Sequence, residues 1–244
     1  MPKLYLWNDL KLFYQQSNQE VIRIWEEFRK YIIQNDGYNN VEYFCFDSDI
    51  FECWIKQLNY ETEKIVSVGT RPAKMLKKRQ DLDFIPITPC RIRSANGGSK
   101  CIVLSDKDKK VLKDVISSNL NGKIHIVEDA VVNGATIACL MEFIQKQGFK
   151  GTILVNTIFL NIEAKKIIEK EYSFDLKLKS YVMMEGKPIE ESTLLCLYDL
   201  LFGEITEGKK YYERMDLLSV FLCNKNNQLL ELINKCVKIL RREK

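Results

Sequence analysis

The sequence predicts an α/β protein with a mainly parallel, Rossmann-like sheet, an N-terminal α/β appendage and a helical C-terminus. Between residues 64 and 185, short apolar strands alternate with amphipathic helices. Helices of about 10–15 residues in such a series are the usual crossovers between parallel strands. An acidic pair, Glu128-Asp129, closes one strand directly before a small-residue loop and a helix. Hydrophobic residues make up 46% of the 244 residues, enough for a core without disulfide or metal staples.

The first predicted part, residues 1–60, is expected to fold in the order helix, strand, helix. Apolar side chains recur at helical spacing from Val21 to Ile32, and residues 41–46 are aromatic and prone to form a strand. A second amphipathic segment covers residues 50–58. This part contains no catalytic pattern, so we expect an appendage to the core.

The predicted core, residues 61–188, alternates strands and helices along the chain. Its strands are expected at residues 65–69, 84–92, 101–104, 123–129, 152–159 and 176–183. Its helices are expected at residues 72–80, 106–120, 136–147 and 162–172. Ser105 and Asp108 have the spacing of a capping box at the start of the second of these helices.

The last predicted part, residues 189–244, is expected to be helical. Its final segment carries an apolar stripe at helical spacing, formed by Leu229, Leu232, Ile233, Cys236, Val237 and Leu240. We expect this stripe to pack on the rest of the domain, on a second copy in a homo-dimer, or on a partner protein.

Residues 123–136 are the segment that points to chemistry. The carboxyl ends of parallel strands are where ligands bind in an open sheet, and here the strand ends in Glu128 and Asp129. The amides of the following loop and of the helix N-terminus favour an anion such as a phosphate. Gly134 permits close backbone approach, and Asn133 and Thr136 can donate hydrogen bonds. Carboxylates beside a phosphate site suit a sugar phosphate, because they accept hydrogen bonds from ribose hydroxyls.

This segment resembles the phosphoribosyl-pyrophosphate (PRPP) signature of the type I phosphoribosyltransferases. That signature is an apolar strand, two acids, two aliphatic residues, a short polar stretch and Gly-x-Thr. The resemblance implies the family's fold and makes Glu128 and Asp129 the ribose-binding acids. Val132 and Asn133 depart from the family, which usually has two small hydroxyl residues there, or Asp and Thr. The implied phosphate loop is Val131, Val132, Asn133, Gly134, Ala135 and Thr136.

Three further segments follow in the family's order. The end of the strand at residues 65–69, with the helix start after it, resembles the pyrophosphate loop, in which Arg71 supplies the charge. The end of the next strand resembles a basic position that faces the pyrophosphate. The glycine-rich loop at residues 94–100 resembles the mobile loop over the site. Besides Arg71, the residues concerned are Gly69, Thr70, Arg91, Arg93 and Lys100.

The resemblance implies an enzyme that transfers ribose 5-phosphate between PRPP and a nitrogenous base. Glu128, Asp129 and Arg71 would be its catalytic residues, and Mg²⁺ its cofactor, held beside the two acids. Two alternatives stay open: a sensor that binds PRPP or a nucleotide without chemistry, which apolar Val132 favours, and a nucleotide N-glycosidase. The unusual appendages resemble orphan phosphoribosyltransferase-like domains of bacterial conflict or defence systems.

Other protein classes are excluded or not expected. The net charge is +4 with acidic and basic residues interspersed, so no nucleic-acid-binding face is expected. No dinucleotide-binding or P-loop glycine pattern occurs, and the single histidine, His125, is expected to be structural. The eight cysteines form no C-x-x-C pair, which predicts reduced, mostly buried thiols. Without a signal peptide or an apolar span, we expect a cytoplasmic protein and no membrane.

Overall fold

The computed structural model describes residues 3–13, 19–34, 41–47, 49–58, 64–79, 81–92, 101–169, 172–188, 191–202, 204–206, 209–210 and 226–241. The chain forms two compact units, Met1–Ile50 together with Gly186–Lys244, and Phe51–Glu185. Each unit has its own parallel sheet. The three-part division at residues 60 and 188 stays a prediction, although its first and last parts contribute strands to one sheet.

The secondary structure alternates between strands and helices over most of the described chain. The strands are β1 (Lys3–Trp7), β2 (Glu42–Phe46), β3 (Lys64–Val68), β4 (Ile85–Ile87), β5 (Cys90–Ile92), β6 (Cys101–Val103), β7 (Lys123–Val131), β8 (Thr152–Asn161), β9 (Asp175–Met184), β10 (Ser192–Cys196), β11 (Glu204–Thr206) and β12 (Lys209–Lys210). The helices are α1 (Gln19–Gln34), α2 (Asp49–Lys56), α3 (Thr70–Leu76), α4 (Asp106–Ser117), α5 (Ala135–Lys146), α6 (Ile162–Ile168), α7 (Leu197–Phe202) and α8 (Asn226–Arg241), with a 3-10 turn at Leu10–Leu12.

The unit formed by Phe51–Glu185 is built on a five-stranded sheet in the order β4-β3-β7-β8-β9. All four pairings are parallel, which confirms the predicted α/β class. The chain runs outward from β3 to β4 and then places β7 on the other side of β3. The strand order therefore reverses between β3 and β7. Strands β5 and β6 pair separately and antiparallel.

One face of this sheet is buried under α4, α5 and α6. Side chains from these helices and from the strands form one apolar cluster, which includes Val66, Ile126, Leu112, Leu140, Val155 and Ile168. The predicted cap of α4 is confirmed, because the Ser105 side chain accepts a hydrogen bond from the Asp108 amide at 3.1 Å. Capping and burial of an apolar stripe together explain why this segment is helical.

The other unit contains a three-stranded parallel sheet in the order β10-β1-β2. Helices α1, α7 and α8 pack in its apolar cluster. Within the predicted C-terminal stripe, Ile233, Cys236 and Leu240 are fully buried, so these three residues are covered inside their own unit. Burial raises the pKa of the Cys236 thiol to about 12.

Several elements differ from the sequence-based expectations. Strand β1 was not expected, and the C-terminal part, expected to be helical, also contains β10 and the β11–β12 hairpin. The strand expected at residues 84–92 is two strands, β4 and β5. Between them Thr88 donates its amide to the Asp108 carboxylate at 3.4 Å, and Pro89 has no amide to offer to a ladder.

The cysteines are less buried than expected. Among the described cysteines Cys196 and Cys236 are buried and Cys139 is half-buried, but Cys45, Cys53 and Cys90 are exposed. In the described part of the chain, no helix has the length and apolar character needed to cross a membrane.

Candidate functional site

The candidate site lies where the strand order of the five-stranded sheet reverses. In open α/β sheets this point forms a crevice beyond the carboxyl ends of the two strands, and ligands bind there. In this protein the two strands are β3 and β7. The predicted acids lie at the carboxyl end of β7, and Gly69, Thr70 and Arg71 follow the carboxyl end of β3. The topology thus brings together two segments that the sequence separates by 58 positions, counted from Arg71 to Asp129.

Strand β7 is two residues longer than expected and includes both acids. Glu128 is 6% exposed and pairs in register with Thr157 of β8. The side chain of Asp129 is 14% exposed. Carboxylates at such depth need charge or hydrogen-bond partners, because burial of an uncompensated charge is costly.

Arg71 provides such a partner to Asp129. Its Nη1 lies 3.3 Å from Oδ2 of Asp129, and its side chain is 15% exposed. Arg71 belongs to the first turn of α3, so the pair joins the helix that follows β3 to the end of β7. The structure therefore places a cation and a carboxylate from the predicted set side by side in the crevice. A charge-assisted contact of this kind is stronger than one at the surface, since little water screens it.

The loop between β3 and α3 exposes backbone to the crevice. Gly69 has φ of 87° and ψ of 179°, a conformation that residues with a side chain rarely adopt. No heavy atom lies within 4 Å of the position that a Cβ would take there. The Gly69 amide donates to the Ile87 carbonyl at 2.8 Å, which ties the loop to β4. Open space beside a glycine suits close approach by a ligand.

The loop after β7 leads directly into α5. The Asn133 side-chain oxygen accepts from the Ala135 amide at 3.2 Å, which leaves the Asn133 NH₂ as the group that can donate to a ligand. The first turn of α5 contains no acidic residue, so its positive end favours an anion.

Gly134 takes part in packing within the unit. It is left-handed, with φ of 75°, and it is buried. A Cβ at this position would lie 3.1 Å from Ile168 of α6. The glycine therefore lets the loop pack closely on α6, and its close approach to a ligand stays a prediction.

The structure describes most of the remaining predicted residues. Val131 ends β7 with its side chain in the apolar cluster, whereas Val132 and Thr136 are half-buried beside the loop. Arg91 lies in β5. Arg93 and Lys100 lie outside the described residues.

The two acids also bear on the expected Mg²⁺. Mg²⁺ prefers oxygen ligands and is commonly held by one or two carboxylates together with substrate phosphates. Glu128 and Asp129 fit that donor set. In the described part of the chain, no group of three or more histidine, cysteine or acidic side chains could hold a metal ion, so water and the phosphates of a ligand would complete the coordination.

One residue beside the site, Thr157, has no signal in the sequence. The Thr157 hydroxyl on β8 lies 3.1 Å from the main-chain carbonyl oxygen of Asp129. Thr157 is 28 residues from Asp129 in the sequence, and a threonine inside an apolar run indicates only a strand. His125, expected to be structural, is 3% exposed, and its Nδ1 lies 3.3 Å from Nδ2 of Asn156.

Comparison with protein-family models and with curated protein sequences gives no match. Solved structures that resemble the chain include a hypothetical protein from Neisseria gonorrhoeae with bound ppGpp, at 16% identity over 63% of this chain and 82% of that one, with a TM-score of 0.40. They also include a purine phosphoribosyltransferase from Pyrococcus horikoshii, at 12% identity over 76% of this chain and 95% of that one, with a TM-score of 0.33. An adenine phosphoribosyltransferase from Thermoanaerobacter pseudethanolicus has 15% identity over 53% of this chain and 77% of that one, with a TM-score of 0.32.

Phosphoribosyltransferases are among the solved structures similar to this chain. The identities are 12–16% and the TM-scores 0.32–0.40. Similarity this low says nothing about the chemistry of the site, which has to be inferred from the geometry of this chain.

Proposed function

We propose that the crevice between β3 and β7 binds the ribose 5-phosphate part of PRPP or of a nucleotide, and that the protein transfers this group to or from a nitrogenous base. The observation that carries the proposal is the acid pair at the end of β7 with Arg71 3.3 Å from Asp129. Acids and a cation together suit a ligand that has both hydroxyl groups and phosphates, whereas a phosphate alone would be repelled by the acids.

Each part of the ligand has a matching group in the crevice. The carboxylates of Glu128 and Asp129 would accept hydrogen bonds from the vicinal ribose hydroxyls. The first turn of α5, with Asn133 and Thr136, would hold the 5′-phosphate. Arg71 and the backbone at Gly69 would face the pyrophosphate, and Arg91, Arg93 and Lys100 would add positive charge to this part of the site.

The proposed transfer exchanges one bond at the anomeric carbon for another. The C1–O bond to pyrophosphate breaks, and the oxygen keeps the bonding pair. The lone pair of a base nitrogen forms the new C1–N bond, and the proton of that nitrogen leaves to solvent. The ring gains positive charge in the transition state, as in glycoside cleavage, and the two acids would stabilise that charge. Mg²⁺ beside them would neutralise charge on the departing pyrophosphate.

A sensor that binds the ligand without chemistry is the second candidate. Val132 is half-buried next to the acids and has no group that can donate or accept a proton. The same carboxylates could also serve a nucleotide N-glycosidase, in which water replaces the base. The three functions share one pocket and differ in their products. Each of the three functions is compatible with an orphan domain of a bacterial defence system.

Thermal unfolding with PRPP and Mg²⁺ tests the pocket. A ligand at 100 times its dissociation constant should stabilise the wild type by about 2.7 kcal/mol. In Asp129→Ala the acid at the crevice is removed, so we expect this shift to be lost. Asp114→Ala is a matched control, because Asp114 is an exposed acid on α4 of the same unit, and it should keep the full shift.

The outcomes separate the candidates. A shift in both Asp129→Ala and wild type would contradict the assigned site. Given a shift in wild type, pyrophosphate release with added bases indicates a transferase, free base from a nucleotide indicates a glycosidase, and neither product indicates a sensor. Absence of a shift with PRPP and with nucleoside monophosphates would overturn the proposal.

A further inference from the structure

Strands β7 and β8 leave regular geometry at the acid pair. In a regular strand, side chains alternate between the two faces with a period of two. Ile126 and Val131 are five positions apart, so regular alternation would place them on opposite faces, yet both lie in the same apolar cluster. Val155 and Leu160 of β8 show the same change of face. The pairing goes from Glu128 opposite Thr157 directly to Ala130 opposite Phe159 and skips the pair that would contain Asp129. The irregularity therefore lies at Asp129.

The hydroxyl of Thr157 occupies this irregularity. Thr157 is 1% exposed, and its Oγ1 lies 3.1 Å from the carbonyl oxygen of Asp129 and 2.9 Å from that of Phe159. A hydroxyl carries a single proton, so the two carbonyls share one donor. Thr157 thus links the backbones of β7 and β8 at the residue where the site begins.

From these contacts we infer that Thr157 is the positioning residue of the site. Its hydroxyl holds the main chain of Asp129 while Arg71 holds the carboxylate. With both ends of the residue fixed, the carboxylate keeps one direction towards the crevice, and binding does not have to order it. The inference rests on the proposed function, because it assigns Thr157 a role in binding the ribose phosphate.

The test compares two substitutions at this position in the full chain. Thr157→Val keeps the shape of the side chain and removes the hydroxyl, whereas Thr157→Ser keeps the hydroxyl. At a temperature well below unfolding, we expect Thr157→Val to weaken the affinity for PRPP with Mg²⁺ by roughly tenfold or more, since small losses of positioning have large effects. Thr157→Ser should bind within about threefold of the wild type.

Ile153→Val is the control for a general loss of stability. Ile153 is fully buried at the opposite end of the same strand, and the truncation weakens the core without touching the site. It should bind PRPP like the wild type. Equal weakening in Ile153→Val and Thr157→Val would overturn the inference. If Thr157→Val does not fold, Thr157→Ala against Thr157→Ser makes the same comparison, with weakening expected only in the alanine variant.

A second measurement distinguishes this inference from the proposed function. Amide hydrogen exchange at residues 129–131 should become faster in Thr157→Val and stay unchanged in Thr157→Ser, with or without ligand. Wild-type affinity in Thr157→Val, or unchanged exchange, overturns the positioning role. A wild type that binds neither PRPP nor nucleotides overturns the proposed function, while the exchange result still decides whether Thr157 fixes this backbone.

Discussion

Each of the two parallel sheets has an acidic residue at or just after the end of a strand where the strand order reverses. The two acids differ in their partners and in their exposure. In the three-stranded sheet, Asp9 follows β1 and its Oδ1 accepts from the amide of Tyr198, which follows β10, at 2.6 Å. In the five-stranded sheet, Asp129 pairs with Arg71, which follows β3. Asp9 is fully buried, whereas 14% of the Asp129 side chain is exposed.

This difference shows that a strand-end acid is not by itself a sign of a binding site. Asp9 bonds to a backbone amide in the first turn of α7, and its own carbonyl accepts from Leu12 at 3.1 Å, so it fixes the local fold. Asp129 instead contacts the charged side chain of Arg71, and part of its own side chain stays exposed. The partner group and the exposure separate the structural acid from the candidate functional acid.

The largest expected effect concerns the backbone conformation, which differs between Asp9 and the loop that follows Asp129. Asp9 has φ of −89°, which any residue can adopt, whereas Gly134 has φ of 75° and lies against Ile168. Gly134→Ala should lower the free energy of unfolding by about 2–5 kcal/mol, from the left-handed backbone and the overpacking together. Urea denaturation measures this loss.

Gly148→Ala is the matched control for Gly134→Ala. Gly148 has φ of 76°, and no heavy atom lies within 4 Å of its Cβ position. Its replacement should therefore cost only the backbone component, about 1–2 kcal/mol. Equal losses of stability in the two variants would show that α6 shifts to make room for the added methyl group, and that the close packing at Gly134 is unimportant.

The next effect tests the structural role of Asp9. Asp9→Ala should lower the free energy of unfolding by about 2–3 kcal/mol, because a buried charge-assisted hydrogen bond is lost and the Tyr198 amide loses its acceptor. Asp47→Ala removes an exposed acid after β2 and should change stability by about 0.5 kcal/mol or less. If Asp9→Ala kept its stability but lost PRPP binding, Asp9 would be a functional acid and the contrast between the sheets would fail.

The smallest effect concerns a helix cap at the surface. Ser105 is exposed, and it caps α4 through the Asp108 amide. Ser105→Ala should cost about 1 kcal/mol in thermal unfolding, less than the buried cap at Asp9. Ser117→Ala, an exposed position in the last turn of the same helix, should be nearly neutral. A loss as large as that of Asp9→Ala would mean that burial does not set the strength of these caps.

Local patterns were sufficient to predict most of the five-stranded sheet. Its strands are bounded by turn residues and joined by amphipathic helices, and the Ser105 cap has a recognisable spacing. In the other sheet, strands β1 and β10 have no such local signal. β1 pairs with β10, and Lys3 lies opposite Ser192. Short buried strands without a period-two pattern cannot be recognised when their partners are so distant.

The candidate site shows the same division between local and distant information. Glu128, Asp129 and the loop before α5 form one continuous segment, so the sequence could suggest their chemistry. Arg71 could be proposed only through the order of segments in a resembling family, and the structure brings it to Asp129. Thr157 could not be found at all, because its role depends on an irregularity shared by two strands.

The order of β1 within its sheet has a consequence for synthesis of the chain. β1 lies between β2 and β10, and the contact from Asp9 to Tyr198 spans 189 positions. At roughly 5–20 residues per second, the ribosome needs about 10–40 s to supply that stretch. During this time the five-stranded sheet can complete itself, while one edge of the apolar strand β1 remains open to pairing with other chains. Until β10 is made, this open edge of β1 is therefore a place where the nascent chain can aggregate.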